Sequence, residues 1–199
     1  MLEKGLIVSI QGYSFSTTQE LAEHAIKGGA VAIRTDKPLE IEVPMIGLMK
    51  FKKKKFYITT SIKTIENVSF STNYVAIDSR EGNKDICDLY SFCKIHSIDI
   101  VADIGRIEDV EYLINFGCVP DYICTTFSFL YNDGYPDIQL IERIQKLIDV
   151  PIIAEGGFEH LYQIQQAMAA GANNVCIGKA ISKVYEKTEE YVNMFKEYK

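Results

Sequence analysis

The chain has 199 residues, a formal net charge of −6, 47% apolar residue types and five cysteines. That is length enough for one sizeable core, and with no Pro/Ser-rich or low-complexity linker to divide it, a single domain over residues 1–199 is expected. The acidic balance without a distributed basic face argues against nucleic acid as a partner, and no apolar run approaches the roughly 18 to 20 residues of a membrane helix.

In chain order, short β-branched runs alternate with amphipathic segments, the pattern of a parallel sheet built from strand and helix units. The expected strands are LIVSI (6–10), AVAIR (30–34), PMIGLMK (44–50), YVAID (74–78), DIVADI (99–104), DYICTT (121–126), PIIAEG (151–156) and NVCIGK (174–179). Between them TTQELAEHAIKGGA, DVEYLINFGC, DIQLIERIQKLID and HLYQIQQAMAAGA carry apolar residues at spacings of three and four. Gly28, Gly117 and Gly171 stand where a left-handed residue stops a helix and turns the chain into the next strand. Eight such units close into a (β/α)8 TIM barrel with short loops. A doubly wound open sheet is the weaker alternative, because QGYSFS offers one glycine where that fold carries a glycine-rich fingerprint.

Two stretches fit less cleanly. DKPLEIE, from Asp36 to Glu42, is too short for a full helix and contains Pro38, so the second unit is expected to be truncated. YITTS (57–61) reads as an extra strand or as a loop ahead of a helix around SIKTIENV. At the start, MLEKGLIVSIQG reads as a first strand without the small-residue cleavage site of a signal peptide, which makes the cytoplasm the expected compartment. The tail SKVYEKTEEYVNMFKEYK is amphipathic, with two uses open to it: covering the barrel, or packing on a second subunit in a homodimer.

On a barrel the strand ends meet at one mouth, where they carry Gln11, Arg34, Lys50, Asp78, Asp103, Thr125, Thr126 and Glu155. Convergent polar groups suit a small hydrophilic substrate. Blander roles exist: Arg34 could pair with Asp36 or a mouth carboxylate, Asp78 could cap the next turn, and Thr125 and Thr126 are ordinary strand formers. Lys50 and Glu155 are harder to dismiss, since a charge ending an apolar strand is costly unless paired or used. After strands seven and eight, Gly156 and Gly157, then Gly178, Lys179 and Ala180, suggest a phosphate site of backbone amides, with tight turns as the bland reading. The run Lys52 to Lys55 reads as a solvated loop. Five cysteines with no CxxC spacing suggest neither a disulfide framework nor zinc, and the three histidines have no metal spacing, so no metal is expected.

The series IVSIQG, GGAVAIR, IGLMK, YVAIDSR, VADI, CTTFS, PIIAEGG and AGANNVCIGKAISK resembles, in order and approximate spacing over nearly the whole chain, the bacterial N-acetylmannosamine-6-phosphate 2-epimerases of sialic acid catabolism. The resemblance implies a (β/α)8 barrel that interconverts N-acetylmannosamine 6-phosphate and N-acetylglucosamine 6-phosphate with no cofactor. It implies Lys50 as catalytic lysine, Glu155 as catalytic carboxylate, Gln11, Arg34 and Asp103 lining the sugar site, and Gly156, Gly157 and Gly178 holding the phosphate. The chain departs from the family pattern in a shorter loop after strand one, in AEGG where AEGR or AEGK is usual, and in GKAISKV, where Lys183 replaces an arginine. Lysine keeps the charge and loses the forked donor geometry, for which Lys179 could compensate. Other phosphate-binding barrels (decarboxylases, thiamin phosphate synthases, sugar-phosphate isomerases) and a non-catalytic phosphosugar-binding barrel are the alternatives.

Overall fold

A computed structural model describes residues 2–36, 57–59, 62–64, 74–184, 188–189 and 192–193. Its described strands are β1 (Gly5–Ile10), β2 (Ala32–Thr35), β3 (Tyr57–Thr59), β4 (Tyr74–Asp78), β5 (Asp99–Asp103), β6 (Tyr122–Cys124), β7 (Ile152–Glu155) and β8 (Asn174–Ile177). They form a closed barrel in sequence order. Every pairing is parallel, and β8 closes on β1 through Val175 beside Leu6 and Cys176 beside Ile7.

The third place in the ring corrects the sequence expectation. It belongs to Tyr57–Thr59, which pairs with β2 (Ile33 beside Tyr57) and with β4 (Ile58 beside Tyr74). The expected strand at 44–50 lies outside the described residues, as do Lys50, the Lys52 to Lys55 run and most of the DKPLEIE and SIKTIENV segments. The C-terminal tail also lies largely outside them.

Strand alternation divides the core in two. Successive side chains point to opposite faces of a strand, so in a barrel one parity faces the axis and the other faces the helices. Ile7, Ala32, Tyr74, Ala76, Val101, Tyr122, Cys124, Ile153 and Cys176 pack together on the axis. The opposite parity, among it Val75, Ile77, Ile100, Ala102, Ile123, Ile152, Ala154 and Val175, packs with the helices. Within the axial layer, Tyr74 meets Tyr122 edge-on at 5.8 Å, and the Leu2 amide donates to the Tyr122 hydroxyl at 2.7 Å.

The flanking helices are α1 (Phe15–Lys27), α2 (Ile86–Ile95), α3 (Ile107–Asn115), α4 (Ile138–Leu147), α5 (Leu161–Ala169) and the short α6 (Lys179–Ser182). Helix α2 is not among the helices named from sequence, although Ile86, Leu89, Tyr90 and Cys93 form its buried stripe at helical spacing. Helix α1 starts at Ser14, whose hydroxyl accepts from the Thr17 amide, and α4 starts at Asp137, whose carboxylate accepts from the Leu140 amide at 2.9 Å. The left-handed stop of α1 is Gly29, at φ +101°, and not Gly28, which stays helical at φ −71°. Gly117 and Gly171 are left-handed as expected.

One acidic residue organises the loops above β4 and β5. Asp109, 1% exposed, accepts from the amides of Gly105 at 2.8 Å, Arg106 at 2.9 Å and Glu81 at 3.0 Å. Three backbone donors, the buried Gly105 amide among them, are satisfied by one carboxylate, which ties the two loops together.

Candidate active site

The axial parity explains which polar residues gather at the mouth. Two positions beyond the axial residues Ala32, Val101, Cys124 and Ile153 come Arg34, Asp103, Thr126 and Glu155, so each inherits the inward direction. Arg34 Nη1 and Nη2 form a fork on the Asp103 carboxylate at 3.1 and 2.5 Å. Nη1 also donates to Glu155 Oε2 and, at 3.1 Å, to Thr126 Oγ1. Thr126 Oγ1 donates to Asp103 Oδ1 at 2.6 Å, and the Cys124 thiol donates to Glu155 Oε2 at 3.1 Å. Of Arg34's expected partners, Asp36 is not the one chosen; its carboxylate accepts from the Gly12 amide at 3.1 Å.

This cluster is buried below and open above. The Arg34 side chain is 3% exposed and that of Asp103 is fully buried, while Glu155 is 12% exposed. Burial works against the guanidinium charge, but Asp103 and Glu155 outweigh it and hold Arg34 protonated, well above its ordinary range. Burial also drives the Cys124 and Cys176 thiols up, with the Glu155 and Asp103 carboxylates adding to it, so both sulfurs stay protonated donors. Oxygen and sulfur atoms of Asp103, Cys124 and Glu155 lie within 4.8 Å of one another, a spacing that could suit a metal ion. The Arg34 guanidinium reaches all three and supplies the positive charge there itself.

Glu155 and Thr126 are the members of the cluster that face the cavity above it. That cavity, of about 610 Å³, is lined by Gln11, Thr126, Glu155, Gly156, Gly157, Gly178, Lys179 and Lys183, together with Ser9, Phe129 and others. Gln11 is oriented by Nε2 donating to Ser9 Oγ at 2.9 Å. Two lysines stand at the rim. Lys179 Nζ is 4.0 Å from Glu159, and Lys183 Nζ lies 4.7 Å from the centre of the Tyr13 ring. Tyr13 in turn donates to the Ser182 carbonyl, which fixes the end of α6, the helix that begins at Lys179 and is followed by Lys183.

Three residues expected at the mouth stand elsewhere or do other work. Asp78 does not line this cavity: Arg80 Nε and Nη2 hold its two oxygens at 2.9 and 2.8 Å, and it borders a separate cleft with Lys63 and Arg106. Ala180 is exposed and off the cavity wall. Thr125 bonds backbone, donating to the Glu155 carbonyl at 2.9 Å and accepting from the Glu155 amide at 3.0 Å, which fastens the end of β7 to β6. Burial opposes ionisation of Asp78, yet the bonds and charge of Arg80, with Lys63, prevail and hold its carboxyl below its ordinary value of 3.8. A depressed folded value means that this contribution to stability is complete above the unfolded value and is lost as pH falls through the folded one. Asp78→Asn is therefore expected to flatten the acid limb of the stability curve below about pH 4 while leaving its neutral arm parallel to wild type, as read by urea unfolding at stepped pH.

The glycine pair after Glu155 has a structural reason that the sequence does not reveal. Gly156 and Gly157 both take left-handed backbone, at φ +97° and +75°. A Cβ on Gly157 would lie 2.5 Å from the Gly134 carbonyl oxygen and 2.8 Å from the Pro136 nitrogen, and one on Gly156 would lie 3.0 Å from the Thr126 carbonyl. The bare backbone thus lets the loop after β6 close against the loop after β7. Gly157→Ala is expected to cost about 2–3 kcal/mol, measured as a shift of the urea midpoint, because strained backbone and a backbone clash coincide.

A closed all-parallel barrel with a buried ion cluster and a polar cavity at the carboxyl ends of its strands defines a (β/α)8-barrel protein, with the cavity where barrel enzymes keep their active sites. The comparisons narrow this. The NanE family model, described as "Putative N-acetylmannosamine-6-phosphate epimerase", matches residues 18–197, and the chain belongs to this family of isomerases. A relative from Caldanaerobacter subterraneus subsp. tengcongensis with the corresponding 2-epimerase name is 32% identical over 98% of this chain and 93% of its own length. One from Listeria monocytogenes is 29% identical over 98% and 96%. Among solved structures, the N-acetylmannosamine-6-phosphate 2-epimerase from Clostridium perfringens shares the fold at a TM-score of 0.77 and 21% identity, over 95% of this chain and 92% of that one. The (S)-3-O-geranylgeranylglyceryl phosphate synthase from Thermoplasma acidophilum shares it at 0.64 and 12%, over 90% and 86%.

Proposed function

We propose that the protein is an N-acetylmannosamine-6-phosphate 2-epimerase that inverts C2 of a 2-acetamido sugar phosphate by removing a proton and returning it to the other face. The observation that carries the reading is Glu155: a carboxylate fixed from below by Arg34 and Cys124, facing a cavity whose rim holds Lys179 and Lys183. Family membership over residues 18–197 supports the substrate, and the other phosphate-barrel and non-catalytic readings are not favoured beside it.

In the open-chain sugar, the C2 proton is acidified by the C1 aldehyde, and its removal leaves an enolate whose charge gathers on O1. An amine can act as the base if it is held uncharged, and donors facing O1 lower the barrier further. We assign the base to Lys50, which rests on the IGLMK resemblance because this residue lies outside the described part of the chain. Glu155 is its acid partner at C2 or O1. The guanidinium of Arg34 orients that carboxylate, Gln11 and Thr126 offer polar groups to the sugar, and Lys179 and Lys183, with the backbone of Gly156, Gly157 and Gly178, receive the phosphate. No described helix is long and apolar enough to cross a membrane, and a phosphorylated substrate fits an enzyme of the cytoplasm. Lys50→Ala is expected to abolish exchange of the C2 proton with D2O while phosphosugar binding is largely retained. Exchange at the wild-type rate in that variant would remove the assignment.

A further inference from the structure

A second cavity, of about 520 Å³, opens between α2 and the segment joining α3 to β6, and it shares no lining residue with the mouth cavity. Two cysteines from different elements line it: Cys87 in the first turn of α2, half-buried, and Cys118, 7% exposed, after the left-handed Gly117. Their sulfurs are 3.3 Å apart. We infer that Cys87 and Cys118 are a peroxide-responsive dithiol, closing reversibly to a disulfide that ties α2 to the α3–β6 segment.

Geometry carries the inference. The two elements are already held in register beside the sulfurs, because Lys94 of α2 pairs with Asp121 at 3.0 Å and Asp121 accepts from the Ile100 amide at 2.8 Å. The Cys118 amide donates to the Leu113 carbonyl at 2.9 Å, so its backbone is fixed as well. From 3.3 Å, reaching a bond length near 2.05 Å needs about 1.3 Å of approach between the sulfurs. The other three cysteines, Cys93, Cys124 and Cys176, are fully or almost fully buried and line neither the second cavity nor the pair.

The chemistry balances with hydrogen peroxide as oxidant. The Cys87 thiolate, on the accessible side, attacks one peroxide oxygen, breaking the O–O bond to give a sulfenic acid and hydroxide. The Cys118 thiolate then attacks the Cys87 sulfur, forming the S–S bond and expelling the second hydroxide; the two thiol protons end in two molecules of water. Burial first, and then the neighbouring Cys87 sulfur, push the Cys118 thiol up, so the thiolate that closes the bridge is favoured by higher pH.

The test uses the full chain, reduced and then treated with hydrogen peroxide, with remaining thiols alkylated before peptide mapping. The expected result is a Cys87–Cys118 cross-linked peptide pair lighter by two hydrogens, reversed by dithiothreitol, formed faster at higher pH, with the other three cysteines still thiols. A staple closing this loop should raise the thermal midpoint by about 5 °C. Cys87→Ser and Cys118→Ala, each checked for an unoxidised midpoint near that of reduced wild type, should lose both the cross-link and the gain. Oxidation of Cys87 to sulfinic acid without a bridge, or a bridge to any other cysteine, would overturn the inference.

Discussion

Replacing Arg34 by alanine is expected to destabilise the fold by about 3–5 kcal/mol, the range seen when one partner of a buried ion cluster is removed. Assembling such a cluster is not itself strongly favourable, because three charged groups leave water to form it. Breaking it is worse. Without the guanidinium, the buried Asp103 carboxylate loses its fork of two donors, and Glu155 loses its cation in the same space. Thr126 and Cys124 remain as neutral donors and cannot balance two negative charges. Against a total stability of roughly 5–15 kcal/mol, the loss is a large share. Arg34→Lys should lie between wild type and alanine, because it restores one charge without the fork. Urea unfolding of the three proteins checks the order, and an alanine variant within about 1 kcal/mol of wild type would show that the cluster is not a structural anchor.

The second large effect separates anchoring from chemistry. Glu155→Gln keeps size and an acceptor oxygen but removes the charge and the proton-transfer capacity. Arg34 retains its fork to Asp103 in this variant, so the stability loss should be well below that of Arg34→Ala. Turnover should fall by about 10²–10⁴-fold, the scale of a general acid–base contribution, with KM changed little, because the groups assigned to the phosphate, Lys179, Lys183 and the glycine backbone, are left unchanged by the substitution. Steady-state kinetics reads both quantities. A variant that unfolds more easily yet turns over within a few fold of wild type would make Glu155 only a counter-ion of Arg34.

The barrel was legible in the sequence because alternation and length sufficed: in AIR, DIVAD and IIAE an inward apolar residue is followed two positions on by an inward charge. The third strand was not. Segments 44–50 and 57–61 both carry strand-forming residues, and only pairing shows that Tyr57–Thr59 fills the place between β2 and β4. Partner choice at the mouth was equally hidden, since Arg34 and Glu155 are 121 positions apart and nothing local selects Glu155 over Asp36. Asp78 has the right strand position, but Arg80, two residues on, captures both its oxygens. The glycine pair was read as a phosphate cradle or a tight turn; that its bare backbone lies against the 134–136 segment could come only from the fold. Cys124, a member of the ion cluster, gave no signal beyond its place on an inward position of β6.

Proton transfer at C2 is what the account stands on, and proton NMR of the intact enzyme with N-acetylmannosamine 6-phosphate in D2O reads it directly. The expected spectrum shows N-acetylglucosamine 6-phosphate appearing while the C2 proton signal of the sugar phosphate is lost to deuterium. Binding of the sugar phosphate with an unchanged C2 signal and no new epimer would contradict it.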